Sequence, residues 1–358
     1  MKLGIIGTAK SGKTTIFNAI TKQNVDTSLY EQKSEPNISV VQVFDERITH
    51  LSELYKPKKT IYANIEILDF PGMTENAENH EFLSSVSMNL MRNADALIVV
   101  LRNFSDPVLN EMFGNADPIK ELKNIIEEFI LSDLFIAEKR LEKIELSYKR
   151  GQKTPALQIE EKAIRTIIES LNNEIQLRDI DLPEEELKAV KGFQFLSLKP
   201  MLVILNSSES CFQKNQELLE KLNKTVLSVE FAGKFEMELS RLEEDEAQIF
   251  MEDIGIKESA VLRVTKTAYQ LLGYISFFTV GSDEVRAWTI QSGDNAVTAA
   301  GKIHSDLARG FIRAETFSYE DILRHGNEKT IREKGLFRLE GKTYIVKDGD
   351  IINIRFNV

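Results

Sequence analysis

The residues that most constrain this chain are 7–14, whose sequence GTAKSGKT fits the pattern G-x-x-x-x-G-K-[ST]. The apolar residues 3–6 before them predict a short buried strand, and a helix is predicted to begin near Lys13. In such a strand–loop–helix unit, glycines let successive backbone N–H groups turn towards one centre, and the helix adds its positive amino-terminal end. The sequence therefore predicts a phosphate-binding loop at the start of an α/β domain.

The residue types in this loop have distinct chemical roles. Lys13 is expected to reach the β- and γ-phosphates of a nucleoside triphosphate and to act in catalysis, and the Thr14 hydroxyl is expected to ligate Mg²⁺. The residues that we expect to bind the phosphates are Gly7, Ala9, Lys10, Ser11, Gly12, Lys13, Thr14 and Thr15.

A second motif, Asp69-Phe70-Pro71-Gly72, directly follows Ile65-Glu66-Ile67-Leu68, a largely apolar run that predicts another strand. An acid at such a strand end can hold Mg²⁺ through water, so Asp69 joins Thr14 as a candidate metal ligand. Gly72 can donate its backbone N–H to a γ-phosphate and move when that phosphate leaves, which makes it a candidate catalytic residue. This spacing after the phosphate loop favours a GTPase-type switch over a small-molecule kinase.

The chain has 358 residues, which is enough for two or three domains. Its longest wholly apolar run, 96–101, is far shorter than the roughly 20 residues that span a bilayer, so no membrane partner is expected.

A single cysteine, Cys211, excludes an internal disulfide framework and a zinc site built from cysteines, and a cytoplasmic location is expected. The net charge of −11 leaves open a local basic face near the neutral carboxyl-terminal end.

Three regions follow from the pattern along the chain. Strands alternating with helices predict a mostly parallel sheet, covered on both faces, in a nucleotide-binding domain of residues 1–117 and 195–274. Residues 118–194 carry apolar stripes at spacings of three and four, which predict an inserted antiparallel helical hairpin. Residues 275–358 predict a small α+β domain with strands at 277–280, 285–290, 344–346 and 351–356, a hairpin turn at 348–350 and a helix at 296–308.

With these motifs in place, the chain resembles the YchF-type Obg-like ATPases, a branch of the translation-factor-related P-loop GTPases. The segments that carry this resemblance, beyond the two motifs above, are Glu35-Pro36-Asn37, Asp117-Pro118-Ile119, residues 137–142, Leu198-Lys199-Pro200, residues 284–289, residues 299–304, residues 310–315, Asp348-Gly349-Asp350 and residues 355–358. The resemblance covers essentially the whole chain. It implies a nucleotide-binding G domain, a helical insertion and a carboxyl-terminal β-grasp domain of the TGS type. It also implies nucleotide hydrolysis coupled to binding of the ribosome, its RNA or other translation components.

Base selection is expected at Asn206-Ser207-Ser208-Glu209, which follows the strand predicted at 201–205. The usual guanine-binding pattern is N-K-x-D, but here the acid is Glu and the position of the Lys is occupied by Ser207. The resemblance implies an N-x-x-E variant associated with ATP, so we expect ATP to bind at least as well as GTP. Ala232-Gly233-Lys234 is expected to form a second loop on the base side. The expected base-binding residues are therefore Asn206, Glu209, Ala232 and Gly233.

Three departures from the family pattern bear on hydrolysis. Met73 stands where many related switches have a water-orienting Gln, and His80 is the only histidine nearby. Lys10 stands where relatives typically have Asn, and we hypothesise that its ammonium group replaces a potassium ion. Ser34 is the nearest substitute for the usual magnesium-binding threonine. Intrinsic turnover is expected to be slow, about 10⁻⁴ to 10⁻² per second.

Three functions are compatible with this sequence. The first is a Mg²⁺-dependent nucleoside triphosphatase, expected to be monomeric, whose nucleotide state governs association with ribosomal RNA or protein. The second is a docking module that binds nucleotide and scarcely cleaves it. The third, a P-loop kinase, is disfavoured by the N-x-x-E strand end and by the TGS-like carboxyl-terminal residues.

Overall fold

The computed structural model describes residues 1–26, 36–72 and 85–357, which form two compact units. The first unit contains Met1–Ser39 and Glu66–Val261, and the second contains Val40–Ile65 and Leu262–Val358. Up to residue 172 the elements are β1 (Lys2–Ile6), α1 (Lys13–Thr21), β2 (Asn37–Val43), α2 (Glu46–Tyr55), β3 (Lys59–Ile61), β4 (Ala63–Asp69), α3 (Ser85–Arg92), β5 (Ala96–Asn103), α4 (Pro107–Phe113), α5 (Pro118–Lys149) and α6 (Pro155–Asn172).

The remaining elements begin with a short 3₁₀ turn, Leu177–Asp179, and a second such turn, Lys191–Phe193, follows α7. The helices and strands in this part are α7 (Glu184–Val190), β6 (Met201–Ser207), α8 (Gln216–Asn223), β7 (Ser228–Phe231), α9 (Gly233–Leu239), α10 (Glu244–Ile254), α11 (Ala260–Leu272), β8 (Tyr274–Val280), β9 (Glu284–Gln291), α12 (Ala296–Ile303), α13 (Ser305–Arg309), β10 (Phe311–Ser318), α14 (Tyr319–His325), α15 (Glu328–Glu333), β11 (Arg338–Glu340) and β12 (Asp350–Phe356).

A six-stranded sheet of order β2-β4-β1-β5-β6-β7 carries the predicted phosphate loop. The neighbouring strands from β4 to β7 pair in parallel, and β1, β5 and β6 are buried almost throughout. Strands buried on both faces favour continuous apolar runs, which is why the sequence identified them. The predicted mostly parallel sheet is confirmed.

Helices α5 and α6 form the predicted helical hairpin. Ile130, Ala137 and Ile144 on α5 are buried, and Ile164 and Ile167 on α6 belong to the same apolar cluster as the first two. Arg140 and Glu160 join the two helices in a bidentate ion pair, with its nearest N···O distance at 2.6 Å. Packing of the two apolar stripes therefore explains the hairpin, as the sequence predicts.

The second unit contains a six-stranded mixed sheet of order β11-β10-β12-β8-β9-β3. Strand β3 comes from Val40–Ile65 and pairs in parallel with β9. In the same segment, the Arg47 guanidinium donates hydrogen bonds to Asp45 and Asp348 and lies over the Phe278 ring. Residues 40–65 were predicted to belong to the nucleotide-binding domain. The compact units divide the chain at other points, and the predicted domain boundaries stay a prediction.

Two local predictions in the carboxyl-terminal region are wrong. Residues 344–346 form no strand, because their backbone groups make only an isolated antiparallel bridge with the start of α12: Ala296 N donates to Tyr344 O and Val346 N donates to Asp294 O. The predicted helix 296–308 is two helices, α12 and α13. It breaks at His304, which is extended with φ −162° and accepts a hydrogen bond from Asp306 N to cap α13. In the described part of the chain, no helix combines the length and the apolar character that crossing a bilayer requires.

Candidate functional site

The loop between β1 and α1 has a backbone that side chains would disrupt. Gly7 has φ 151° and Gly12 has φ 95°, a region that glycine adopts readily. A Cβ at Gly7 would overlap the Val100 carbonyl oxygen, and one at Gly12 would overlap the side-chain nitrogen of Asn206. Lys10 is also left-handed, with φ 62°. Helix α1 begins with Gly12 as N-cap and has no side-chain cap, so its first-turn amides are oriented to meet an anion.

Lys13 lies beside this loop and is almost fully buried, with 6% of its surface exposed. Its Nζ donates a hydrogen bond to the Thr8 carbonyl oxygen at 2.7 Å. Burial lowers the pKa of Lys13 to about 8, although the charges of Asp69 and Glu121 act in the opposite direction. A buried ammonium group whose charge is poorly solvated is a strong attractor for a phosphate anion. This position agrees with the predicted role of Lys13.

Thr14 and Asp69, the two predicted metal ligands, are brought together. Thr14 Oγ1 donates to Asp69 Oδ2 at 2.9 Å, and Asn37 Nδ2 donates to the same oxygen at 3.2 Å. Because the hydroxyl of Thr14 donates its hydrogen bond to Asp69, the lone pairs of its oxygen remain available to an ion. A hydroxyl and a carboxylate are the hard oxygen ligands that Mg²⁺ prefers, so this donor set fits that ion.

Gly72 lies directly against the phosphate loop. A Cβ on this residue would be 2.9 Å from Ala9 Cα and 3.2 Å from Lys13 Nζ, so no larger residue fits without a shift. The structure thus brings both predicted motifs to one point at the end of β1. Ser34, Met73 and His80, which the sequence connected with hydrolysis, lie outside the described residues.

Asn206, at the end of β6, connects the phosphate loop with the predicted second base loop. Its Nδ2 donates to the Ser11 carbonyl oxygen at 2.9 Å, and its Oδ1 accepts from Gly233 N at 3.1 Å. A Cβ on Gly233 would be 2.5 Å from that same Oδ1, so this close approach requires glycine. Asn206, Ala232 and Gly233 are therefore adjacent and buried, whereas Glu209 is exposed in the turn after β6.

Glu121 is a residue of this site that the sequence analysis missed. Its carboxylate accepts hydrogen bonds from the Thr8 hydroxyl and from Arg102 N, the latter at 3.2 Å. Burial raises the pKa of Glu121 above its usual value, against the effect of these hydrogen bonds and of Lys13. The only sequence signal was an acid in the first turn of a helix after Asp117-Pro118, and such residues commonly serve the helix alone.

Comparisons with known proteins agree with this geometry. Residues 2–140 match a family model described as "50S ribosome-binding GTPase". Residues 274–357 match the model YchF-GTPase_C, described as "Protein of unknown function (DUF933)".

Similarity to individual proteins extends over the whole chain. The chain is 38% identical over 365 residues to "Ribosome-binding ATPase YchF" of Bacillus subtilis (strain 168), covering 99% of each sequence. It is 36% identical over 364 residues to the protein of that name from Pasteurella multocida (strain Pm70), covering 100% of this chain and 99% of that protein. The structure of the Schizosaccharomyces pombe YchF GTPase matches with a TM-score of 0.86 at 30% identity, covering 99% of this chain and 97% of that one.

Proposed function

Because the chain belongs to the YchF family of P-loop nucleoside triphosphatases, we propose that it hydrolyses a nucleoside triphosphate slowly and acts as a nucleotide-dependent switch. The observation that carries the proposal is the convergence of Lys13, Thr14, Asp69 and Gly72 at one loop. These residues supply a cation, two oxygen ligands and a close backbone approach. All three are needed where a triphosphate is positioned and its developing charge is stabilised.

The phosphate groups would be held mainly by the backbone and by one ammonium group. We propose that Gly7, Gly12 and the amides of residues 9–15 surround the phosphates, and that Lys13 exchanges its bond to Thr8 O for phosphate oxygens. Thr14 and Asp69 would hold Mg²⁺, which supplies charge neutralisation at the phosphates when it is bound. The Gly72 N–H would donate to the γ-phosphate and release when that phosphate leaves.

For the base, we propose contacts from Asn206, Glu209, Ala232 and Gly233, with ATP bound at least as well as GTP. The Asn206 bonds to Ser11 O and Gly233 N support this, because they join the base side to the phosphate side. Calorimetric titration of both nucleotides tests the preference. Tenfold tighter binding of GTP, a gap of about 1.4 kcal/mol, would overturn it.

Single-turnover phosphate release tests hydrolysis, with Lys13→Ala as the control that removes the phosphate-binding ammonium group. Slow release by the wild-type protein, lost in the variant, supports an enzyme. Tight nucleotide binding without release would favour the docking module, for which Met73 in place of a water-orienting Gln is the argument. We also propose that Lys10 makes hydrolysis indifferent to K⁺, and a several-fold rise on replacing Na⁺ by K⁺ would contradict this.

The macromolecular partner that we propose is the ribosome, because relatives that match the whole chain are named ribosome-binding ATPases. We also propose a cytoplasmic location, which a ribosomal partner supports. The monomeric state and the domains 1–117 with 195–274, 118–194 and 275–358 remain part of this proposal. Co-sedimentation with ribosomes in ATP, GTP, ADP and a non-hydrolysable analogue, at two salt concentrations, tests it. Binding that ignores the nucleotide would contradict a switch, and salt sensitivity would indicate contacts with RNA phosphates.

A further inference from the structure

We propose that Glu230 is a positioning residue for nucleotide base selection, because it holds the loop that carries Glu209. This inference rests on the proposed function, since it concerns the base-binding side of the same nucleotide site. It assigns a specificity role to a residue on β7, outside the N-x-x-E motif and outside the phosphate loop.

Glu230 lies beside the end of β6, where the base-binding segment begins. In the parallel pairing of β6 with β7, Glu230 is the partner of Leu205. Its Oε1 accepts from Ser207 Oγ and from Asn215 Nδ2, each at 2.5 Å, and its Oε2 accepts from Gln213 N at 3.0 Å. A single carboxylate therefore receives three donors from the loop 207–215.

These donors come from both ends of the loop, so Glu230 holds the two ends together. Ser207 is the last residue of β6, and Asn215 is the N-cap residue of α8. The Ser207 hydroxyl accepts from Asn103 Nδ2 at 2.9 Å, and Asn215 Nδ2 also donates to Cys211 O at 2.7 Å. The position that is Lys in N-K-x-D is thus used here to attach the loop to two neighbouring strands.

Gln213 has an unusual backbone conformation beside this attachment, and its Nε2 also donates to Ile254 O and Gly255 O, each at 3.4 Å. Gln213 has φ 62°, in the left-handed region that residues with a Cβ rarely adopt. The N–H of this residue is one of the three donors to Glu230. Removing the acceptor would allow Gln213 to return to an ordinary backbone conformation and would change the course of the loop.

The base side and the phosphate side are held by different contacts, which separates their functions. Glu209 is exposed at the tip of the loop, so the position of its carboxylate depends on the loop backbone. Asn206 is instead anchored on Ser11 O and Gly233 N. Loss of Glu230 should therefore weaken base recognition while the phosphate loop remains intact, since hydrogen-bond recognition requires well-positioned partners.

The test compares the dissociation constants of ATP, GTP and inorganic tripolyphosphate, all with Mg²⁺, for the wild-type protein and Glu230→Gln. Glutamine keeps the shape but presents an amide donor to a site occupied by donors. The ratio of the tripolyphosphate constant to the ATP constant measures what the base and sugar contribute. We expect this ratio to fall at least fivefold in the variant, with tripolyphosphate binding within twofold of wild type. Glu217→Gln on α8 is the matched control, because Glu217 is exposed and pairs only with Lys221 in the described contacts.

Ser207→Ala provides a second variant that removes one donor from the same carboxylate. We expect a smaller loss of the same ratio, and a double variant no worse than Glu230→Gln alone, because both residues act through one attachment. An unchanged ratio in Glu230→Gln, or an equal loss of ATP and tripolyphosphate binding, would overturn the proposal. Failure of the wild-type protein to bind any of the three ligands would instead overturn the proposed function, and this inference with it.

Discussion

Burial of Lys13 should make nucleotide affinity depend on pH between about pH 7 and pH 9. The pKa of Lys13 is lowered to about 8 by burial, in the nucleotide-free state where its Nζ donates to the Thr8 carbonyl oxygen. A bound triphosphate favours the charged form of Lys13 and should raise its pKa above the ordinary value for lysine of about 10.4. Binding at alkaline pH should therefore take up a proton from solution.

The size of the effect follows from the two protonation equilibria. With a pKa of about 8, the fraction of neutral Lys13 is about 0.1 at pH 7, about 0.5 at pH 8 and about 0.9 at pH 9. Proton uptake on binding should follow these fractions. The affinity should fall about tenfold between pH 7 and pH 9, or about 1.4 kcal/mol. Stability of the nucleotide-free protein should change in the opposite sense, rising from pH 8 to pH 10, because the unfolded chain binds more protons there.

Isothermal titration calorimetry at pH 9, in two buffers of different ionisation enthalpy, measures the number of protons taken up. The phosphate groups titrate near pH 6 and contribute little above pH 7. Lys13→Arg is the control, because a guanidinium group stays charged throughout this range. It should bind more weakly at every pH, but with no uptake. Equal wild-type affinity at pH 7 and pH 9, with no proton uptake, would refute the assignment of Lys13 as the buried phosphate-binding cation.

Three further substitutions test buried contacts: two lie in the site, and the third lies outside it, in the buried ion pair that joins Arg92 of α3 to Asp133 of α5 at 2.8 Å. Gly12→Ala places a Cβ on the Asn206 side chain at φ 95°, so tripolyphosphate binding should be lost while thermal unfolding shows a folded protein destabilised by about 1–3 kcal/mol. Glu121→Ala removes the acceptor of the Thr8 hydroxyl and Arg102 N and should lower the free energy of unfolding in urea by about 2–3 kcal/mol. A change near zero would show that these hydrogen bonds do not stabilise the protein. Arg92→Met leaves Asp133 buried without its cation and should cost about 3–5 kcal/mol by the same assay, whereas a neutral result would mean that the other donors to Asp133 suffice.

The sequence identifies those parts of the site that follow a recognisable strand. The phosphate loop and Asn206 each follow a run of consecutive apolar residues, Asp69 follows a run that is apolar except at Glu66, and the carboxyl ends of parallel strands meet at one edge of a sheet. Their proximity follows from that rule. The strands themselves are easy to predict, because burial on both faces leaves little choice of residue type.

The supporting residues could not be predicted in this way. Thr8 and Glu121 are 113 residues apart, and Ser207 and Glu230 are 23 apart. Each acid looks like a surface residue of its own helix or strand. The strand predicted at residues 344–346 fails for a related reason: an apolar run before Asp-Gly resembles one arm of a hairpin, but its backbone groups bond Asp294 and Ala296 at the start of α12. Local pattern determines that a segment is extended, and tertiary partners determine whether it becomes a strand.

The contacts in this site differ in whether a nucleotide must replace them. The bond from Lys13 Nζ to Thr8 O points one of the cation's donors at the loop itself, so phosphate oxygens compete with it. The bonds of Asn206 to Ser11 O and Gly233 N, and of Thr8 to Glu121, use groups that a phosphate does not need. Exchange of one hydrogen bond for another yields only a modest net energy, whereas a preformed loop avoids the entropy cost of ordering its amides. Affinity for the triphosphate should therefore depend more on the contacts that persist than on the one that is exchanged.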